Sequence, residues 1–382
     1  QLMVGGEPMD SGVVDFSLAA GTSGEVQVPF EASDRYGEQI LTLSFRLKEA
    51  TLWAEAGHEI AWEQFMVADK APAGGFSITG IMKVRERGQE VIIVGENFRY
   101  TFDRTFGMLT SWRYAGKEYL EQGPLFHVWR APLANDMDPW GAVTYGKDKM
   151  VTGLGRSIDN QVRAFGMRNL EAETKDLGVV KTDGNVVVVT IAKTWHASNF
   201  RGAFDAREVY NIHPDGHVEV EMEVVPQGAM PEMLPRMGWQ FLLPKSFTYL
   251  TWYGRGPFET YPDRKSGAKA GIYHSTADRE YVPYLIPQDY GNHTDVRYLR
   301  IGDEAGNGWW IRSDNRFQFS YHTYGTENLS RAMYTCQLKK APYHTLNLDA
   351  EVSGVGGTAI RQLARYRVRP QRTVFTFEII PF

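Results

Sequence analysis

The chain has 382 residues, too many for one small core, and is expected to fold as two domains, one large and one small. A formal charge of −5 leaves no footprint for a phosphate backbone, and no apolar run nears the roughly 20 residues of a membrane span, so neither nucleic acid nor membrane is an expected partner. The single cysteine, Cys336, excludes intrachain disulfides and cysteine-based zinc sites, while a 13% aromatic share with 38 glycines points to many short strands and turns.

Residues 1 to about 70 alternate with the β period: Leu41, Leu43, Phe45 and Leu47 share one face, Thr42, Ser44 and Arg46 the other. Turns at Gly5-Gly6, Gly21-Thr22-Ser23-Gly24 and Asp34-Arg35-Tyr36-Gly37 separate the strands, and the pattern fits most of an immunoglobulin-like sandwich over 1–72. The chain opens at Gln1 with no signal peptide, and Val4-Gly5-Gly6-Glu7-Pro8 reads as a hairpin already in progress. A longer parent polypeptide is therefore expected, with the first strand of the sandwich missing and one sheet edge bare. Ala71-Pro72-Ala73-Gly74-Gly75 lacks large side chains and is the expected linker to a second domain, 73–382.

That second domain is expected to be nearly all antiparallel β, one extended sandwich rather than a barrel of βα units. Val91 to Val94 and then Phe98, Tyr100 and Phe102 begin the strands. A short helix from Ser157 is predicted by Ile158, Val162 and Phe165 at helical spacing. Val186 to Ile191, a run apolar except for Thr190, predicts a strand covered on both faces. Glu208 to Ile212, the Pro214-Asp215-Gly216 turn and His217 to Val225 predict the clearest hairpin, with Val218, Val220, Met222 and Val224 alternating with glutamates. His213 and His217 flank its turn, so the four-residue zinc spacing of a helix does not apply and they read as cross-turn surface histidines. Trp309 to Arg312, Phe317 to Tyr321 and Thr373 to Ile380 are further strands.

The densest chemistry lies in Trp252-Tyr253-Gly254-Arg255-Gly256-Pro257-Phe258-Glu259-Thr260-Tyr261-Pro262-Asp263-Arg264. A strand from Phe247 to Trp252 runs into a Gly/Pro turn, a place for a sugar site or for a sandwich corner. Glu259, Asp263 and His293 are the acid/base candidates, with Tyr261 beside them. A glycosidase needs two carboxyl groups across the scissile bond, about 5–5.5 Å apart if retaining and about 6.5–9.5 Å if inverting. Arg255 or Arg264 could instead neutralise either acid, and structural ion pairing is the favoured reading. Asn135-Asp136-Met137-Asp138 hints at a cation loop, but the twelfth position from Asp136 is Lys147 rather than a bidentate Glu. Asn135 and Asp136 can bond sugar hydroxyls or pin a loop. Asn347-Leu348-Asp349 leads into Ser353-Gly354-Val355-Gly356-Gly357, which has the glycines of a phosphate cradle without the following Lys-Ser/Thr, and reads as a sharp loop able to approach a ligand or another chain.

Several of these stretches resemble glycoside hydrolase family two β-galactosidases. Trp53-Ala54-Glu55-Ala56-Gly57-His58 is similar to the Trp-Ala-x-Ala-Gly-His that closes their fourth domain. Arg130-Ala131-Pro132-Leu133-Ala134-Asn135-Asp136, the Gly254 to Arg264 run, Pro287-Gln288-Asp289-Tyr290-Gly291-Asn292-His293, and Leu346-Asn347-Leu348-Asp349 with Gly354-Val355-Gly356-Gly357 resemble the C-terminal domain's motifs in the family's order. The resemblance implies an immunoglobulin-like domain followed by a large sandwich related in fold to galactose mutarotases. It also implies a non-catalytic part of a retaining enzyme for terminal β-D-galactosides. In the family both catalytic glutamates lie on an upstream (β/α)8 barrel, which is the implied partner, together with a carbohydrate (the β-galactoside) and further subunits of a homo-oligomer. Metal ligands lie mostly in that barrel, so no cofactor is expected in this segment, magnesium and sodium belonging to the full-length enzyme. A family loop after the Gly-x-Gly-Gly can carry a tryptophan to the active-site rim; here Thr358-Ala359-Ile360-Arg361-Gln362 follow, which suggests a substrate other than lactose or a site closed differently. Two alternatives are a free-standing mutarotase-like epimerase using Glu259 and His293, and a carbohydrate-binding module without chemistry.

Overall fold

The computed structural model describes residues 1–70, 80–137, 158–182, 185–197, 200–357 and 362–382. The expected linker at 71–75, and Asp138, Lys147, Ser157 and 358–361, lie outside them. The chain divides into two compact units, Gln1–Ser77 with Lys269–Ile272, and Ile78–Ala268 with Tyr273–Phe382.

In the first unit β1 (Leu2–Val4), β2 (Glu7–Asp10), β3 (Gly37–Arg46) and β4 (Glu59–Lys70) form one antiparallel sheet in the order β2-β1-β3-β4. Gly5 and Gly6 supply the left-handed φ of the β1–β2 turn, +58° and +89°. Leu2, Met3, Val4, Ile40 and Leu41 are buried. The alternation expected along β3 fades: Thr42 is buried beside Leu41, and Phe45 is half exposed. Among the described residues this unit holds a single sheet and no strand over 11–36, so the facing sheet of an immunoglobulin-like sandwich is not among its elements.

In the second unit β5 (Lys83–Arg87), β6 (Glu90–Val94), β7 (Phe98–Asp103), β8 (Met108–Tyr114) and β9 (Lys117–Glu118) form a sequential five-stranded sheet. The large sheet has twelve strands: β10 (Gln122–His127), β11 (Leu170–Lys181), β12 (Val187–Ala197), β13 (Gly202–Ile212), β14 (Val218–Gly228), β15 (Arg236–Pro244), β16 (Tyr249–Gly256), β17 (Lys269–Thr276, of which the part from Tyr273 belongs to this unit), β18 (His293–Gly302), β19 (Gly308–His322), β20 (Tyr343–Val352) and β21 (Thr373–Pro381). Its main path is β10-β15-β20-β19-β21-β14-β13-β12-β11, with β18 joining β19 to β16 and β17 beside β16.

One apolar core unites the two sheets, Ile93, Tyr100 and Trp112 of the small one meeting Ile191, Val220, Trp239, Phe241 and Trp309 of the large one. This makes the unit an all-β sandwich. The β13–β14 hairpin pairs Ile212 with Val218 and Asp205 with Val225, the register its alternation predicts. Helix α1 (Ile158–Ala164) buries Ile158 and Val162 in the core, as their spacing predicts, and α2 (Thr326–Arg331) is the other short helix. Strand β12 differs from expectation. Val187, Val189 and Ile191 are fully buried, but Val188 and Thr190 between them are only partly covered, so one face packs and the other does not close.

Candidate functional site

Strands β10, β15, β20 and β19 run side by side, and their side chains alternate between the core and the opposite face. Phe126, Trp239, Leu348 and Phe319 stand on the core side, matched across the ladder. On the other side the register sets His127 beside Gly238, Gly238 beside Asp349, and Asp349 beside Gln318. One step along, Gln240 meets Asn347 and Asn347 meets Ser320, joined by hydrogen bonds of 2.8 and 3.0 Å. Gly238 is required here, because a Cβ would stand 2.4 Å from the Leu348 carbonyl oxygen and 2.6 Å from Asp349 Oδ1.

This polar face is buried. Arg236 and Asp349 are 0% exposed, and Asp289 is 1% exposed. Arg236 Nη2 lies 3.2 Å from Asp349 Oδ2 and 3.7 Å from Asp289 Oδ2, and it donates to Ser320 Oγ at 3.5 Å. His127 Nε2 is 4.0 Å from Asp349 Oδ1. Among the described residues, Arg236 Nε and Nη1, both oxygens of Asp289 and of Asp349, His127 Nε2 and His322 Nδ1 have no hydrogen-bond partner. One guanidinium shared by two carboxylates does not neutralise both. Burial, opposed by Arg236 and reinforced by Asp289, pushes Asp349 up to about 7. Burial, then Arg236, holds His127 well below the usual imidazole range, and burial also lowers His322. The face thus sets two imidazoles whose protonation burial disfavours beside a guanidinium and the carboxyl groups of Asp289 and Asp349, donors and acceptors able to hydrogen-bond hydroxyls.

Beside it, Arg130 follows β10 and ties the loop after β20 in place. Its Nε and Nη2 donate to the two oxygens of Asp136, each at 2.9 Å, and its Nη1 donates to the Ser353 carbonyl at 2.9 Å. Both partners are buried, so this is a desolvated, bidentate pair. Asn135 donates to the Val355 carbonyl at 3.0 Å. Asp263 accepts the amides of Val355 and Gly356 at 2.9 and 2.8 Å. The glycine-rich stretch therefore does turn its amides toward an anion, as its composition suggests, but the anion is the chain's own carboxylate.

The turn Tyr261-Pro262-Asp263-Arg264 closes by reciprocal backbone bonds of 3.1 and 2.8 Å between Tyr261 and Arg264. Glu259 Oε1 accepts from Arg264 and from the Tyr284 hydroxyl, and its Oε2 accepts the Gly291 amide at 2.8 Å. The Tyr261 ring lies 5.2 Å from the Arg264 guanidinium, and burial raises its hydroxyl well above the usual range. Arg255 donates to Asp295 at 2.6 Å and to the Ala268 carbonyl at 2.7 Å. His293 sits between Trp252 and Phe319, centroids 4.2 and 5.0 Å away, with Nε2 2.7 Å from Glu280 Oε2.

Of the sequence candidates, Asn135 and Asp263 meet at the 353–356 loop, and Asp136 acts on it through Arg130. Glu259, Tyr261 and Arg264 share the adjoining turn, and Arg255 and His293 meet where His293 Nδ1 lies 3.3 Å from the Arg255 carbonyl. Both oxygens of Asp136, Glu259 and Asp263 are taken by donors of the chain, whereas those of Asp349 are not. Sequence reasoning missed His127, Arg236, His322 and Glu280, and gave Asp289 a place in a motif but no role. The signal was Arg236 heading the apolar strand Met237–Leu243, since an arginine there needs a buried acid.

Residues 94–379 match the family model described as beta galactosidase small chain, and residues 1–68 match beta-galactosidase domain 4. A β-galactosidase of Priestia megaterium is 30% identical over 329 residues, 86% of this chain and 30% of that protein. One of Vibrio cholerae is 30% identical over 311 residues, covering 81% of this chain and 29% of that protein. A galactose mutarotase-like protein from Lactobacillus casei superposes with a TM-score of 0.39 at 13% identity, over 79% of this chain and 100% of that one. The chain spans about 30% of the length of these curated relatives. With the motifs from Arg130 to Gly357 inside the first matched segment and Trp53 to His58 inside the second, the chain belongs to the β-galactosidase small-chain family, preceded by that family's domain 4.

Proposed function

We propose that this chain is the non-catalytic C-terminal part of a β-galactosidase-type retaining glycoside hydrolase, which as a whole cleaves terminal β-D-galactosides. An upstream (β/α)8 barrel supplies the catalytic glutamates, and this chain supplies part of the active-site wall and contacts between subunits. The observation that carries the reading is the 353–356 loop, held by Arg130, Asn135 and Asp263, with Asp136 spent on Arg130. Those carboxylates are committed to fastening rather than to proton transfer, and a loop so fixed presents one preorganised edge to a substrate.

The test is Asp263→Asn in the full-length enzyme, assayed on a chromogenic β-galactoside. The amide cannot accept both loop amides with the same charge, so kcat/KM is expected to fall about tenfold, about 1.4 kcal/mol, with the fold retained. Unchanged kcat and KM would remove the loop from the active-site wall.

A further inference from the structure

The tip of the β13–β14 hairpin lies apart from the polar face and from the fastened loop, and the proposed function uses none of it. Gly216, at φ +94°, lets the Pro214-Asp215-Gly216 turn close, with Gly216 N on the His213 carbonyl at 2.9 Å and His213 N on the His217 carbonyl at 3.0 Å. The closure stacks the His213 and His217 rings, centroids 3.8 Å apart and planes 12° from parallel. Glu219, two residues on and therefore on the same face of β14 as His217, brings Oε2 to 3.7 Å from His213 Nε2. One ligand atom from each of His213, His217 and Glu219 falls within 4.8 Å of the others. His217 is 7% exposed and His213 Nε2 is buried without a hydrogen-bond partner, so neither is the open surface histidine that a turn position suggests.

We propose that this hairpin tip binds a divalent transition-metal cation of the zinc class, through His213, His217 and Glu219, with Asp215 orienting His217. Two imidazoles and one carboxylate are a donor set for zinc, cobalt or nickel rather than for calcium or magnesium, which prefer oxygen alone. Asp215 Oδ1 lies 2.8 Å from His217 Nδ1 and accepts the His217 amide at 3.1 Å. An ionised carboxylate only accepts, so Nδ1 carries the ring proton and Nε2 keeps its lone pair, the carboxylate–histidine arrangement that orients a metal ligand. Bonds of about 2.0–2.2 Å need the ligand atoms about 3.4 Å apart, so binding draws the three together from within 4.8 Å, by side-chain adjustment of His213 and Glu219 toward His217. Three protein ligands leave the remaining position to water.

Zinc chloride titrated calorimetrically into the purified chain tests this, in a Cys336→Ser background because that thiol is exposed. One equivalent is expected to bind, with affinity falling about tenfold or more in His213→Ala and in Glu219→Gln and less in Asp215→Asn. Glu219 has a side chain 53% exposed, so Glu219→Gln keeps the fold even if the histidine variant does not. Cobalt(II) should give the visible absorption of a tetrahedral nitrogen–oxygen site, lost in the same variants. Absence of saturable zinc binding, or equal affinity in Glu219→Gln, would overturn the proposal.

Discussion

Gly354→Ala probes the fastened loop most sharply. A Cβ at position 354 would stand 2.4 Å from Asp263 Oδ2 and 2.5 Å from its Cγ, closer than packed atoms can sit, so the carboxylate must move. Moving it releases the Val355 and Gly356 amides, now held at 2.9 and 2.8 Å. Hydrogen bonds to a charged group contribute about 1.5–3 kcal/mol each, but Asp263 is half-buried and water recovers part of the loss. The expected destabilisation is therefore about 2–4 kcal/mol, crowding included. Gly357→Ala is the internal control: no described residue lies within 4 Å of its Cβ, and the cost should stay within about 0.5 kcal/mol. Urea unfolding followed by tryptophan fluorescence measures both. Equal midpoints for the two variants would refute the reasoning, because the loop would then owe nothing to Asp263.

Arg130→Met leaves Asp136 buried and unpaired and should cost about 3–5 kcal/mol in the same assay. Asp349 gives a pH prediction: its folded-state pKa is raised from 3.8 to about 7, so its stabilising proton is fully effective at low pH and is lost as pH rises from about 4 through 7, on the order of 4 kcal/mol in all. His127 and His322, lowered from 6.5, act oppositely below that value, so the readout is a difference: between pH 5 and 8 the wild type should lose more stability than Asp349→Asn. Parallel pH profiles of the urea midpoints would contradict it.

The strands of the second unit were legible where alternation was strong. Val218 to Val224 against three glutamates fixes both the face and the register of β14. An apolar run such as Val186 to Ile191 is less informative, because partly covered and fully covered valines look alike in sequence. The immunoglobulin-like reading rested on alternation, turn spacing and the family resemblance, and turn spacing marks where a chain reverses but not which segments pair. For the candidate site, the motifs from Arg130 to Asp136 and Gly254 to Arg264 were visible, but their meeting at the 353–356 loop depends on contacts that span 220 residues from Asn135 and 92 from Asp263. The polar face was only partly legible for a related reason: Asp349 and Asp289 stood in recognisable motifs, but His127, Arg236 and His322 come from three further segments, and only the β10-β15-β20-β19 order brings His127, Arg236, Asp349 and His322 onto one surface.

We propose that this polypeptide completes a galactosidase without performing its chemistry. This proposal is tested by assaying the purified chain on a chromogenic β-D-galactoside, alone and after mixing with a polypeptide spanning the upstream two-thirds of the Priestia megaterium relative. No hydrolysis above buffer is expected from the chain alone, with activity appearing on mixing; sustained cleavage by the chain alone would contradict the account.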